Sequence, residues 1–129
     1  MTIEERADLG AQYKATGRYN CTRSVLAAFS DMIDLDEDKL TAMTAGFSAG
    51  MGNMEGTCGA IIGAIMVAGL LTDGRGTVRY SRMIHERFNE LSKSTICKTL
   101  KGIGEDAPLC ECPNCVKNAI LALGETGIV

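Results

Sequence analysis

The chain carries one histidine, no excess of basic residues and no apolar run of membrane length. With one histidine, its Ser, Asp and Glu residues do not assemble into a hydrolase constellation. That histidine, His85, sits beside the apolar face of an amphipathic stretch and reads as solvated or edge-packed. Thirteen Lys and Arg against sixteen Asp and Glu give a net charge of −3, so nucleic-acid binding has no electrostatic footprint. The longest apolar stretch, Cys58 to Leu71, is too short and glycine-rich for a bilayer, which needs about 20 residues. It reads as a buried core helix, not part of an integral membrane protein. The opening MTIEERADLG has no basic segment leading into an apolar one, so no secretory signal and a cytoplasmic location are expected. No segment of length alternates apolar and polar residues with period two, which leaves little reason for a sheet.

What remains is enough for one core. A chain of 129 residues, 46% hydrophobic and 22% charged, is neither disordered nor too small to bury apolar surface. One helical domain over residues 1–129 is expected. Thr2 and Glu5 form a capping box for a first helix ending at Gly17. Asn20 caps a second, with Val25, Leu26, Phe29, Met32 and Ile33 on one face. The acidic cluster from Asp34 to Asp38 suits the start of a short third helix carrying Leu40 and Met43. Thr57 is expected to cap the apolar helix, in which Ala60, Ala64 and Ala68 recur every four residues beside Gly59 and Gly63. That small-residue face predicts a central helix in a compact bundle of about six. TDGRG is a turn. Tyr80, Met83, Ile84, Phe88 and Leu91 then mark a long amphipathic helix. Ser94 or Thr95 starts a short helix ending near Gly102, and Pro113 opens the last.

Six cysteines, about 5% of the chain, are fewer than the roughly 8–10% of a disulfide scaffold. In a reducing compartment such residues serve catalysis, redox sensing or metal binding more often than bridging. Their placement is the informative feature. Cys21, Cys58, Cys97 and Cys112 each fall at the cap or first turn of a different expected helix. Helix starts offer unpaired N–H groups and partial positive charge, which favour thiolate over thiol. Cys112-Pro113-Asn114-Cys115 is a C-x-x-C, in which Cys112 is expected to attack and Cys115 or Cys110 to resolve. Val116 follows where haem attachment needs histidine. Cys21, Cys58 and Cys97 are expected to meet in space. The alternative is a zinc or iron–sulfur site, held by Cys21, Cys58, Cys97 and Cys112 or by the C-x-C-x-x-C cluster Cys110, Cys112 and Cys115 with one distant cysteine. Glycines 46, 50, 52, 56 and 59 require the backbone to turn or approach something closely. No strand precedes them, so they are not a dinucleotide fingerprint. Gly59 and Gly63 beside Cys58 leave room for backbone to approach the sulfur or a bound cofactor.

The segment Cys58-Gly59-Ala60-Ile61-Ile62-Gly63 reads as CGAxxG. With Cys21 in Tyr-Asn-Cys-x-x-x-Val upstream and Cys97 and Cys112 downstream, it resembles the redox-active family named C_GCAxxG_C_C. The resemblance runs from about Gly17 to Ala119 and implies a helical, redox-active protein without implying a particular reaction. The family's four cysteines fall on Cys21, Cys58, Cys97 and Cys112, the last through its spacing to Val116. Cys110 and Cys115 stand outside that pattern. The combined reading is a cysteine-based redox protein working by thiol–disulfide exchange or electron transfer. Dithiol chemistry needs no cofactor. A redox partner protein or small thiol is the expected partner, and self-association as a homodimer stays open.

Overall fold

Thr2 begins the first helix as its capping box requires. Its hydroxyl accepts from the Glu5 N–H at 3.1 Å, and the Glu5 carboxylate accepts from the Thr2 N–H at 2.9 Å. The computed structural model describes all 129 residues and contains only helices and turns. The elements are α1 (Ile3–Ala15), α2 (Cys21–Ala27), α3 (Glu37–Thr44), α4 (Ser48–Met51), α5 (Gly59–Thr72), α6 (Thr77–Ser92), α7 (Cys97–Lys101) and α8 (Cys112–Gly124). Seven are regular helices. The fourth is a single turn in which Ala49 and Gly50 take left-handed backbone angles.

The centre is shared. Helix α5 packs on α2, α6 and α8, while α8 also contacts α1 and α2. Helix α5 is apolar nearly all round, as suits a central helix; Ala60, Ile61, Ala64, Val67 and Ala68 are fully buried, and Leu70 near its end is exposed. Phe29, Ile84, Phe88, Ile120 and Leu123 close the core around it. No helix is long and apolar enough to cross a membrane.

Several expected details change. Helix α2 ends at Ala27 and a 3-10 turn, Ser30–Met32, follows, so Met32 leaves the buried face and stands exposed. Met43 and Met83 are exposed as well. Flexible methionine at the edge of an apolar face carries the helical pattern beyond the buried zone. Thr57 does not cap α5. It lies in an isolated antiparallel bridge with Ile96, and Cys58 takes the cap position. Ser94 and Thr95 precede α7 rather than starting it; Ile96 occupies the cap and Cys97 the first helical position. In the same way Glu111 caps α8 and Cys112 opens it.

Gly63 shows why small residues line α5. A Cβ there would lie 2.6 Å from the Thr22 carbonyl oxygen and 2.9 Å from the Val25 Cβ. Gly69, on the same helix, would meet only the Thr77 methyl at 4.0 Å. Replacing Gly63 with Ala should therefore cost about 1–3 kcal/mol through overpacking. Gly69→Ala should stabilise by roughly 0.5–1 kcal/mol through helix propensity. Thermal melts of the two variants check this: Gly63→Ala should melt several degrees lower, and equal melting temperatures would refute the close α2–α5 approach.

Candidate functional site

The four cysteines at helix starts come from distant parts of the chain, and specific backbone contacts gather them. The Cys58 N–H donates to the Thr95 carbonyl at 2.8 Å, and the Cys97 N–H donates to the Gly56 carbonyl at 3.0 Å. These bonds lay the start of α7 against the start of α5. The Thr22 hydroxyl donates to the Gly59 carbonyl at 2.9 Å, which seats the start of α2 on the same turn. The Cys110 N–H donates to the Leu100 carbonyl at 3.0 Å and brings the approach to α8 alongside α7.

Gly50 supplies the close approach expected of the glycine-rich segment. Its φ of +57° lies in the left-handed region, and a Cβ would sit 2.5 Å from the Cys97 Cβ. Both the backbone angle and the space require glycine. Gly59 lines the site with Cys21 and Cys58, whereas Gly63 faces α2 and lies outside the cavity lining.

All six cysteines line one cavity of about 30 Å³, together with the half-buried Lys14 and Lys101. Its volume admits a water molecule but no substrate. Cys58, Cys97 and Cys115 are buried; Cys21, Cys110 and Cys112 are half-buried. The sulfurs fall into two sets of neighbours. Cys21 is the neighbour of Cys112. The Cys115 thiol faces Cys110 and Cys58, and it also lies 3.5 Å from the Cys110 carbonyl oxygen. The Asn118 amide reaches the Cys110 sulfur at 3.9 Å and the Ser92 hydroxyl at 2.9 Å. His85 is not part of the lining.

The electrostatics follow that division. The Cys21 thiol beside it lowers Cys112 to about 6, against the opposing effect of burial, with Lys101, Lys14 and the local backbone adding to it. Cys110 is lowered to about 7, first by the Cys115 thiol and also by Ser92. Cys58 is lowered by Cys115 and by the first-turn N–H groups of Ala60 and Ile61. The donors move the other way. Cys21 is raised by its neighbour Cys112, which holds the proton on Cys21, and by burial. Cys115 is raised by its sulfur neighbours Cys110 and Cys58 and by burial. Burial raises Cys97.

Position at a helix start is thus not sufficient. Of the four cysteines placed there, Cys58 and Cys112 are lowered while Cys21 and Cys97 are raised, because sulfur partners and burial outweigh the first-turn donors. Cys112 is more acidic than Cys115, as the C-x-x-C spacing suggests, but the main cause is Cys21. Its hydrogen-bonded neighbour is likewise Cys21 and not Cys115. The proposed ligand set Cys21, Cys58, Cys97 and Cys112 lines the cavity, yet no three His, Cys, Asp or Glu side chains are grouped to hold a metal ion.

Sequence reasoning missed Lys14, Lys101, Ser92 and Asn118. Lys101 follows Cys97 by four residues and Asn118 follows Cys115 by three, spacings that share a helix face. Ser92 and Lys14 carry no local signal, since they reach the site only through packing of α6 and α1.

The fold and the site define an all-helical protein with a cavity built from thiols. Residues 19–126 match the family model described as "Putative redox-active protein (C_GCAxxG_C_C)", and the chain belongs to that family. No curated protein and no solved structure matches it.

The thiol pairing makes a testable claim about Cys112. Its alkylation by limiting iodoacetamide should be half-maximal near pH 6, with Cys110 following near pH 7 and Cys115 reacting slowest. Cys21→Ala removes the donor, so the Cys112 profile should move to higher pH, whereas Cys21→Ser keeps an O–H donor and should restore much of it. Peptide mapping across a pH series provides the measurement, and a Cys112 profile indifferent to Cys21→Ala would contradict the pairing.

Proposed function

We propose that this protein performs two-electron thiol–disulfide exchange with a redox partner, using Cys112 as the attacking thiolate and Cys21 as the resolving thiol. The observation that carries this reading is the convergence of all six cysteines on one cavity. Thiolate is the reactive form in exchange, and an attacking thiol works best with a pKa near ambient pH.

The exchange balances as follows. The Cys112 thiolate attacks one sulfur of a partner disulfide R–S–S–R′, forming the Cys112–S–S–R bond and releasing R′–S⁻, which takes a proton from water. Cys112 is now neutral, so the hydrogen bond that held the proton on Cys21 is gone and Cys21 ionises more readily. The Cys21 thiolate then attacks the Cys112 sulfur, forming Cys21–S–S–Cys112 and expelling R–S⁻. Two protein thiols are oxidised and one disulfide is reduced to two thiols. In reverse, the oxidised protein delivers a disulfide to a dithiol. Cys110, Cys115 and Cys58 form a second sulfur group beside the first, suited to a further two-electron exchange through Cys115.

Titrating reduced, metal-free protein with one equivalent of cystine should produce Cys21–Cys112 as the first internal disulfide, identified by mass mapping. Cys112→Ser should slow the first step by at least tenfold at pH 6.5, where Cys112 is largely ionised. A first disulfide that omits Cys112 would overturn the assignment. Anaerobically purified protein holding stoichiometric iron with a visible chromophore would replace the exchange reading with a cluster-based one.

A further inference from the structure

The inner cavity is too small for a substrate, so exchange has to begin where a sulfur reaches the surface. Only two do so at a substrate-sized space. Cys110 and Cys112 also line an outer groove of about 410 Å³, bounded by Lys101, Ile103, Pro108 and Glu111. This falls within the roughly 300–1,000 Å³ of ordinary ligand clefts. Beyond Pro108 lies a second depression of about 500 Å³, bounded by Glu105, Asp106 and Leu109 among others. Ile103 and Leu109 are half exposed, at 51% and 49%. The connecting backbone is held in place: the Glu105 N–H donates to the Gly102 carbonyl at 2.8 Å and the Cys110 N–H is anchored on Leu100.

We propose that these two depressions form one docking track for an extended polypeptide segment that carries the partner's disulfide or thiol between basic residues. The proposal rests on the exchange reading for the chemistry, and on shape and charge for the occupant. A small disulfide would occupy the first depression and leave the second idle. A strand-like segment advancing about 3.3 Å per residue can lie across both, setting apolar side chains against Ile103, Pro108 and Leu109. The charged lining is three carboxylates, Glu105, Asp106 and Glu111, against the single ammonium of Lys101. Thiolate at Cys110 or Cys112 adds to the same sign. A segment rich in Lys or Arg complements that field, and one rich in Asp or Glu is repelled.

The test separates docking from chemistry. Two labelled nine-residue peptides with a central serine, flanked by lysines in one and glutamates in the other, cannot exchange disulfides. Fluorescence anisotropy with the full-length reduced protein should show the lysine peptide binding about tenfold tighter at low salt, with the gap closing near 0.5 M salt. Glu105→Gln with Asp106→Asn should shrink the ratio of the two affinities. The matching cysteine peptides, activated as 2-pyridyl disulfides, report chemistry through thiopyridone release. Equal binding of the two inert peptides overturns the docking track, even if both activated peptides react. Selective binding without thiopyridone release keeps the track and removes the exchange reading instead.

Discussion

Two backbone hydrogen bonds hold the site together: Cys58 N–H to Thr95 and Cys97 N–H to Gly56. They are the only strand-like pairing in an otherwise helical chain, and they set the starts of α5 and α7 side by side. Helix starts repel one another, since each presents uncompensated N–H groups. Their gathering is tolerable where negative charge is available between them. Cys112, with its pKa lowered to about 6, supplies it, so the packing of the bundle and the ionisation of that cysteine support each other.

Within that arrangement the chemistry is set by pairs. A thiol beside a thiolate shares one proton, so one partner moves down and the other up, as Cys112 and Cys21 do. Cys115 has Cys110 and Cys58 as neighbours and gives its S–H to the Cys110 carbonyl, and its pKa is raised. A lone buried thiol such as Cys97 feels desolvation most and stays protonated. The cavity therefore stores thiolate and thiol in contact, the combination that an attack followed by resolution requires.

The helical class and most helix starts were legible because they depend on local chemistry. Thr2, Asn20 and the Ala60-Ala64-Ala68 row act within a turn or two of their own positions. The family resemblance, carried by CGAxxG and the four spaced cysteines, was legible on the same terms. Thr57 misled because its hydroxyl chemistry suits a cap, while pairing with Ile96 placed it one residue too early. The meeting of Cys21, Cys58 and Cys97 at one cavity could be argued from their shared position at helix starts. The division into two sulfur groups could not, because it depends on how α8 sits against α2 and α5. The C-x-x-C spacing brings Cys112 and Cys115 close in sequence. On the helix, however, Cys115 turns inward to Cys110 and Cys58 while Cys112 turns to Cys21.

Six thiols around one small space also cannot behave independently. Charge on Cys112 raises the pKa of Cys58, Cys97 and Cys110. Once Cys112 enters a disulfide that charge is gone, and each of the three becomes more acidic. Loss of charge at Cys112 thus favours ionisation of Cys110 and Cys58, the neighbours of Cys115. By reciprocity, charge in the second group disfavours charge on Cys112. The two sulfur groups are coupled through the field in the cavity. Lys14 and Lys101 limit that coupling, since their ammonium groups offset the thiolate charge that would otherwise accumulate. The interaction is strongest among the buried sulfurs, Cys58, Cys97 and Cys115, where solvent screens it least.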